Sequence, residues 1–188
     1  MKSMTKRLLA ALLAVAALFA LAGCSKSDKA DAAPKDYTKI LHDARPDEDN
    51  EYDMIFSPGE DGKFTAQYGY SDSYDAAQLD EEIRNMLLPL LNLEEDMYTD
   101  FAASVSGMMV QSYGIAIVKP AEGKQQAVSE ALDAYVQSQM QSMEHYLEDQ
   151  YQIAASSHIS TAPTGEVILV CCENPEAVMN AIKTALAA

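Results

Sequence analysis

The chain has 188 residues, with 13 Lys and Arg against 29 Asp and Glu, and a formal net charge of −16. A length of this order is typical of one domain. The acidic balance argues strongly against a nucleic-acid-binding protein, because that class needs a basic face to contact phosphates. A hydrophobic fraction of 48% and a charged fraction of 22% are those of a globular protein, so global disorder is also excluded.

The first 23 residues have the layout of a secretory signal. The basic residues Lys2, Lys6 and Arg7 precede an unbroken apolar run over residues 8–20. Even when it is extended to Gly23, the apolar stretch is shorter than the roughly 20 residues that a helix needs to cross the hydrocarbon core. This length disfavours a permanent membrane span.

The end of this segment resembles the lipobox of bacterial lipoproteins, through Leu21, Ala22, Gly23 and Cys24. The resemblance implies that the signal is cut off just before Cys24 and that the Cys24 thiol carries the lipid (diacylglycerol, palmitate). Two acyl chains hold a protein stably at a membrane, whereas one gives only reversible binding. We therefore expect a protein that is lipid-anchored to the cell membrane on its extracytoplasmic face. An ordinary secreted protein with a chance cysteine is the alternative.

Removal of residues 1–23 makes the chain more acidic. It takes away three basic residues and no acids, so ten basic residues face 29 acids, a net charge of −19 on 165 residues. Residues 24–36 alternate small and charged side chains that cannot bury a face, which predicts a flexible tether. Residues 37–188 are predicted to form a single α+β domain.

The first half of that domain is predicted to contain short elements. A helix is expected from the spacing of Tyr37, Ile40, Leu41 and Ala44. An acidic loop over residues 47–51 and a hairpin around the turn at residues 57–62 follow. The second hairpin strand is expected to contain Phe64, Ala66, Tyr68 and Tyr70. The next helix is expected to end near Pro89 and to bury Leu79, Ile83, Met86 and Leu87.

The second half has longer periodic segments. Two strands are predicted over residues 101–106 and 115–118, joined near Ser112, and a long helix over residues 128–147. Residues 167–172 are uniformly apolar, which predicts a central strand covered on both sides. Asn174 and Pro175 suit the start of a last helix. The order strand, strand, long helix, strand, helix predicts an α+β module with a small sheet. The first half is expected to cover the side of the sheet that the two later helices leave open.

Four features of this half carry a family resemblance. They are the acidic approach at residues 93–98, the strand at 115–119, the long helix at 128–150 with Tyr146 near its end, and the strand at 166–172 before a final helix. Together with the lipobox, they resemble the domain of unknown function 4358 family, bacterial extracytoplasmic lipoproteins found mostly in Gram-positive anaerobes. The resemblance covers residues 80–188 and implies no activity, cofactor or catalytic residue.

The two adjacent cysteines, Cys171 and Cys172, would point to opposite faces of a strand. A vicinal disulfide would need a strained backbone, and a metal site would need a second cysteine pair at ligand spacing. With Cys24 lipidated, the favoured interpretation is two free thiols in a buried strand.

Three other groups of residues were candidates for a site. Residues 47–53 carry carboxylates at alternate positions, but Tyr52 and Pro58 stand where a calcium loop needs glycine and glutamate, so a solvated loop is favoured over a calcium site. Scattered histidines and the sequence at residues 156–158 indicate no zinc site or catalytic triad, and we predict no catalytic residue, metal or cofactor. Three tyrosines could form a binding platform, but a strand face that closes the core, together with a loop tyrosine, is the favoured interpretation. They are Tyr68, Tyr70 and Tyr74.

The leading hypothesis is a lipid-anchored, non-enzymatic module that acts by binding or interaction. Its expected partners are the membrane, through the lipid on Cys24, and an envelope protein, with no nucleic acid. The high negative charge favours cationic or metal-bridged partners. A cell-envelope hydrolase or its accessory subunit is the alternative. A solute-binding lipoprotein is third, because 165 mature residues are few for two lobes that close on a ligand.

Overall fold

The structure is a computed structural model that describes residues 35–108 and 110–188. The predicted signal, the lipobox with Cys24, and residues 24–34 of the predicted tether lie outside the described residues. Lys35–Ala188 forms one compact unit. Within this unit, no helix combines the length and apolarity that crossing a bilayer requires.

The described chain contains six strands and six helices, with a 3₁₀ turn at Gly69–Ser73. The strands are β1 (Ile55–Pro58), β2 (Phe64–Gln67), β3 (Tyr98–Val105), β4 (Gly114–Pro120), β5 (His158–Thr161) and β6 (Val167–Cys171). The helices are α1 (Tyr37–Ala44), α2 (Asp47–Tyr52), α3 (Ala76–Glu82, continuing through Ile83–Leu87 and Leu88–Leu90), α4 (Gln125–Met143), α5 (Glu148–Ala155) and α6 (Pro175–Ala187).

All six strands form one antiparallel sheet in the order β2-β1-β3-β4-β6-β5. This arrangement confirms the α+β class. The five residues of β6 are buried, as predicted for a strand covered on both sides. Strand β5 was not predicted, because it is a four-residue edge strand whose exposed or half-buried side chains carry no apolar signal.

Two hydrophobic cores lie on opposite faces of the sheet. Alternate residues of β6 enter each core, with Leu169 on one face and Ile168 on the other. Helices α3 and α4 cover the first face, and α1 and α6 cover the second. The prediction that the two later helices share one side is wrong. Both faces of β6 are apolar and need a cover, and helices from both halves of the chain lie on each face.

Helix α3 continues through Pro89 because the helical turn before this proline is wider than an α-helical turn. Residues Ile83–Leu87 form a π-helical turn in which the Leu88 N–H donates to the Ile83 carbonyl. Such a turn shifts the residues that follow around the helix axis. Leu88 is therefore buried, whereas Met86, which was predicted to face the core, is exposed.

The predicted long helix is two helices. Helix α4 ends at Met143, and Leu147 is extended with φ −136° and ψ 96° before α5 begins at Glu148. The Met143 carbonyl accepts hydrogen bonds from the amides of Tyr146 (2.9 Å) and Leu147 (3.1 Å). The break directs α5 back over the domain, where Ile153 packs against the core. At the last helix Asn174 occupies the predicted N-cap position, but its side chain makes no capping hydrogen bond.

Candidate functional site

Residues 47–52 form helix α2, so the predicted acidic loop is wrong. Pro46 precedes three acids in the first turn, where the helix dipole favours anions, and this start signal was present in the sequence. Helical spacing places Glu48, Asp49, Tyr52 and Asp53 along one cleft. Carboxylates on a helix do not wrap around an ion, and the described residues contain no group of three or more His, Cys, Asp or Glu suited to a metal.

The cleft has a volume of about 670 Å³. Its first wall is α2 with Pro46 and Asp53. Its second wall is the β3–β4 loop, and its ends come from α5, the 3₁₀ turn and the junction between β6 and α6. The residues from these other elements are Tyr70, Met108, Gln111, Ser112, Tyr113, Gln150, Ile153, Cys172, Glu173, Asn174 and Val178.

Arg45 fixes the α2 wall to the sheet. It is 5% exposed, and its Nη1 donates to Ser104 Oγ (2.8 Å) and Tyr113 Oη (3.2 Å). Its Nη2 donates to the Asp53 carbonyl (2.5 Å) and its Nε to Asn50 Oδ1 (2.6 Å). These four hydrogen bonds engage four of the five N–H donors of the guanidinium group. Arg45 therefore positions the acidic wall rather than offering a free fork to a ligand.

The lining of the cleft is acidic. Its four carboxylates are Glu48, Asp49, Asp53 and Glu173, and no Lys, Arg or His is among its described lining residues. Burial raises the pKa of Asp49, while the Tyr113 hydroxyl and Arg45 oppose the rise. Burial and the Asp49 carboxylate raise the pKa of Asp53, again against Arg45. The folded chain therefore holds these two negative charges at a cost, as is common at binding sites.

Ser112 lies in the second wall, and its hydroxyl is shielded from solvent. The residue is 2% exposed, and its Oγ has no hydrogen-bond partner among residues 35–108 and 110–188. Its amide donates to Gln150 Oε1 (2.9 Å), which ties the β3–β4 loop to α5. The carbonyl of the next residue, Tyr113, accepts from the Tyr135 hydroxyl (2.7 Å). The backbone on both sides of the hydroxyl is thus fixed, and a buried polar atom without a partner is costly.

Two tyrosines stand at the mouth of the cleft. Tyr52 and Tyr70 are 47% and 58% exposed, and their ring centroids lie 6.2 Å apart. Gly69 makes this possible, because a Cβ there would lie 2.7 Å from the backbone of Asp53 and Met54. Its φ of +51° also favours glycine. The turn that carries Tyr70 therefore packs directly against the acidic wall.

The binding platform, the less favoured of the two interpretations of Tyr68, Tyr70 and Tyr74, does not form. Strand β2 ends at Gln67, and Tyr68 has a φ of +66° that turns the chain out of the strand. Tyr68 packs against one core and Tyr74 against the other. The ring beside Tyr70 is instead that of Tyr52, which was not predicted to be a binding residue. Its spacing of three or four residues from Glu48 and Asp49 was the missed signal.

The cysteines behave as predicted. Both are free and buried, with Cys171 in one core and Cys172 in the other. Cys172 also lines the cleft, where burial raises its pKa to about 11. Its thiol is therefore protonated at neutral pH and is a poor nucleophile.

The histidines and the serines at residues 156–157 form no catalytic group. Ser156 and Ser157 donate to the Ile153 carbonyl at 3.0 and 3.4 Å. His42 stacks against Tyr68 with 4.2 Å between ring centroids, and His145 and His158 are exposed. None of the three histidines lines the cleft.

Comparison with known proteins identifies the family. The chain matches Domain of unknown function (DUF4358) over residues 71–172, more than half of its length. No curated protein and no solved structure matches it. The matched span includes Ser112, Tyr113 and the rest of the β3–β4 loop, whereas all four cleft carboxylates lie outside it. The predicted family is confirmed, although the match begins before residue 80 and stops at residue 172 rather than at 188: the chain belongs to the DUF4358 family.

Proposed function

We propose that the protein is a lipid-anchored, non-enzymatic module on the extracytoplasmic face of the cell membrane, and that it binds a partner through the acidic cleft. The observation that carries the proposal is the lining of the cleft, in which four carboxylates stand without a Lys, Arg or His among the described lining residues. A bound partner that neutralises these charges would offset the unfavourable free energy of holding Asp49 and Asp53 ionised in the folded chain. Exposed aromatic rings at the mouth add the rigid apolar area that binding sites commonly use.

The chemistry of the cleft favours binding over catalysis. A serine nucleophile needs an adjacent base, and Ser112 Oγ contacts none among the described residues. Cys172 is protonated at neutral pH, as described above. Neither Ser112 nor Cys172 therefore supports the hydrolase alternative.

The binding surface can be tested by site-specific crosslinking in the native cell envelope. Met108 lines the cleft and is 60% exposed, whereas Met86 on α3 is 59% exposed and lies outside the cleft. With a photoreactive side chain at Met108, we expect a defined crosslinked partner that is absent when the same group replaces Met86. The same product from both positions, or none from Met108, would contradict the proposal.

The anchor can be tested separately. Cys24→Ala should release the protein into the medium or leave it as an unprocessed precursor, because both lipidation and cleavage depend on the thiol. Fractionation and intact-mass measurement check this. Unchanged membrane retention together with an unchanged mass would show that Cys24 is not the lipidated residue.

A further inference from the structure

We propose that the ligand of the cleft is a basic peptide segment of a partner protein, whose lysine or arginine side chains enter the cleft. This inference rests on the proposed function and specifies the chemistry of the ligand. It combines the acidic lining, the engaged Arg45 and the exposed tyrosine pair.

The charges exclude an anionic ligand. Four carboxylates line the cleft, and Arg45 lies behind them with four of its donors already engaged by protein atoms. A phosphate or carboxylate would therefore meet repulsion without a free basic side chain among the described lining residues. A cation would instead stabilise the ionised forms of Asp49 and Asp53 and lower the free energy of the loaded protein.

The shape of the site favours an organic cation over a metal ion. A hard cation needs about six or more oxygen ligands around one point. Here Glu48, Asp49 and Asp53 follow the axis of α2, while Glu173 lies at the junction of β6 and α6. A volume of about 670 Å³ is typical of sites for small organic groups and far exceeds a single ion.

The aromatic groups at the mouth also suit a cationic ligand. The exposed faces of Tyr52 and Tyr70 can hold a second cationic group at the mouth, because aromatic rings attract cations to their faces. The carboxylates in the cleft can therefore bind one basic side chain of a peptide, and the tyrosines at its mouth can bind the next.

The test is calorimetric titration of the full-length chain in a non-ionic detergent at about 0.15 M salt, where long-range charge effects are screened. The probe is a tetralysine peptide, and its control is the same peptide with acetylated side chains. We expect saturable binding of tetralysine and none of the acetylated peptide. The double variant Asp49→Asn/Asp53→Asn should weaken binding by about tenfold or more, because it removes two facing charges from a partly buried site.

A matched variant separates the cleft from overall charge. Glu130→Gln/Asp133→Asn removes the same number of charges from the exposed face of α4 and should change the affinity by less than about twofold. A thermal melt verifies that each variant is folded.

Several results would overturn the inference. Equal losses in both double variants would indicate attraction to the net charge alone. Binding of the acetylated peptide, or of Ca²⁺ in place of tetralysine, would identify a different ligand class. If Met108 crosslinks a partner in the envelope but tetralysine does not bind, the ligand class is wrong and the proposed function stands. If both experiments fail, both proposals are wrong.

Discussion

Two buried serines, Ser104 and Ser112, differ in the contacts of their hydroxyls. Ser104 Oγ donates to the Met54 carbonyl (2.7 Å) and accepts from Arg45 Nη1 (2.8 Å), whereas Ser112 Oγ has no described partner. Ser104→Ala should lower the free energy of unfolding by about 1–3 kcal/mol, because it leaves two buried groups unsatisfied. Ser112→Ala should leave it unchanged or raise it slightly. Chemical denaturation measures both, and equal losses would show that Ser112 has a structural partner.

Position 114 needs a glycine because the Tyr135 ring packs directly against its backbone. A Cβ at this position would lie 2.7 Å from Cε1 and Oη of Tyr135. Tyr135 cannot move aside easily, since it is buried and its hydroxyl donates to the Tyr113 carbonyl (2.7 Å). Gly114→Ala should therefore destabilise the protein by about 1–3 kcal/mol through overpacking. The control is Gly107→Ala, where a Cβ would meet nothing within 4 Å. A similar loss from both variants would point to chain flexibility as the cause.

At the scale of elements, the sheet is strongest at its centre. Strand β4 pairs with β3 from Tyr98↔Pro120 to Val105↔Gly114, and with β6 along the full length of β6. Strand β1, in contrast, is in register with β3 only at Phe56↔Ala103. Native-state hydrogen exchange should therefore show the slowest amides in β3, β4 and β6, and faster exchange in the β1–β2 hairpin and β5. Equal protection across the sheet would contradict this gradient.

The strands with uninterrupted apolar runs were predicted correctly, whereas helix α2 and strand β5, which have polar or mixed patterns, were not. Residues 115–118 and 167–172 carry uninterrupted apolar runs, and both strands lie where the sequence analysis placed them. Helix α2 has no buried residue and β5 is an edge strand, so neither carries a periodic signal. The break at Leu147 follows from the packing of α5, which overrides the helical period of the sequence.

The cleft could not be predicted from the sequence because its residues come from separate segments. Its acids come from α2 and from the β6–α6 junction, and its hydroxyl comes from the β3–β4 loop. These segments are distant in sequence, and the topology of the sheet brings them together. The adjacent cysteines could be assigned to opposite faces because strand geometry is local, whereas the pairing of Tyr52 with Tyr70 depends on how two turns pack.

For the whole molecule, the acidic cleft lowers stability at neutral pH. Asp49 and Asp53 have raised pKa values in the folded state, so the folded chain holds their protons more tightly than the unfolded chain. Their contribution to the free energy of unfolding therefore falls as pH rises from the ordinary Asp pKa through the raised one. Glu166 acts in the opposite sense. Burial opposes its ionisation, but hydrogen bonds from Thr164, its own backbone and Tyr37 outweigh this and lower its pKa, so its contribution is lost as pH falls.

The double variant Asp49→Asn/Asp53→Asn should consequently be more stable than the wild type at pH 7. Relief of unfavourable charges commonly contributes about 0.5–2 kcal/mol, and each kcal/mol raises Tm by about 2–4 °C in a chain of this size. The advantage should shrink as pH falls through the raised pKa values and vanish below the ordinary Asp pKa, where the wild-type carboxyls are also neutral. Thermal melts from pH 3 to 8 measure the difference between the two proteins at each pH.

The exposed pair Glu130→Gln/Asp133→Asn is the control for net charge. It should give a smaller gain at pH 7, because exposed charges interact weakly and are screened by salt. A destabilised Asp49→Asn/Asp53→Asn variant at pH 7 would mean that both carboxylates support the fold through Arg45. The expected gain in stability, together with the loss of tetralysine binding in the same variant, would instead identify them as residues that lower the stability of the free protein and favour its ligand.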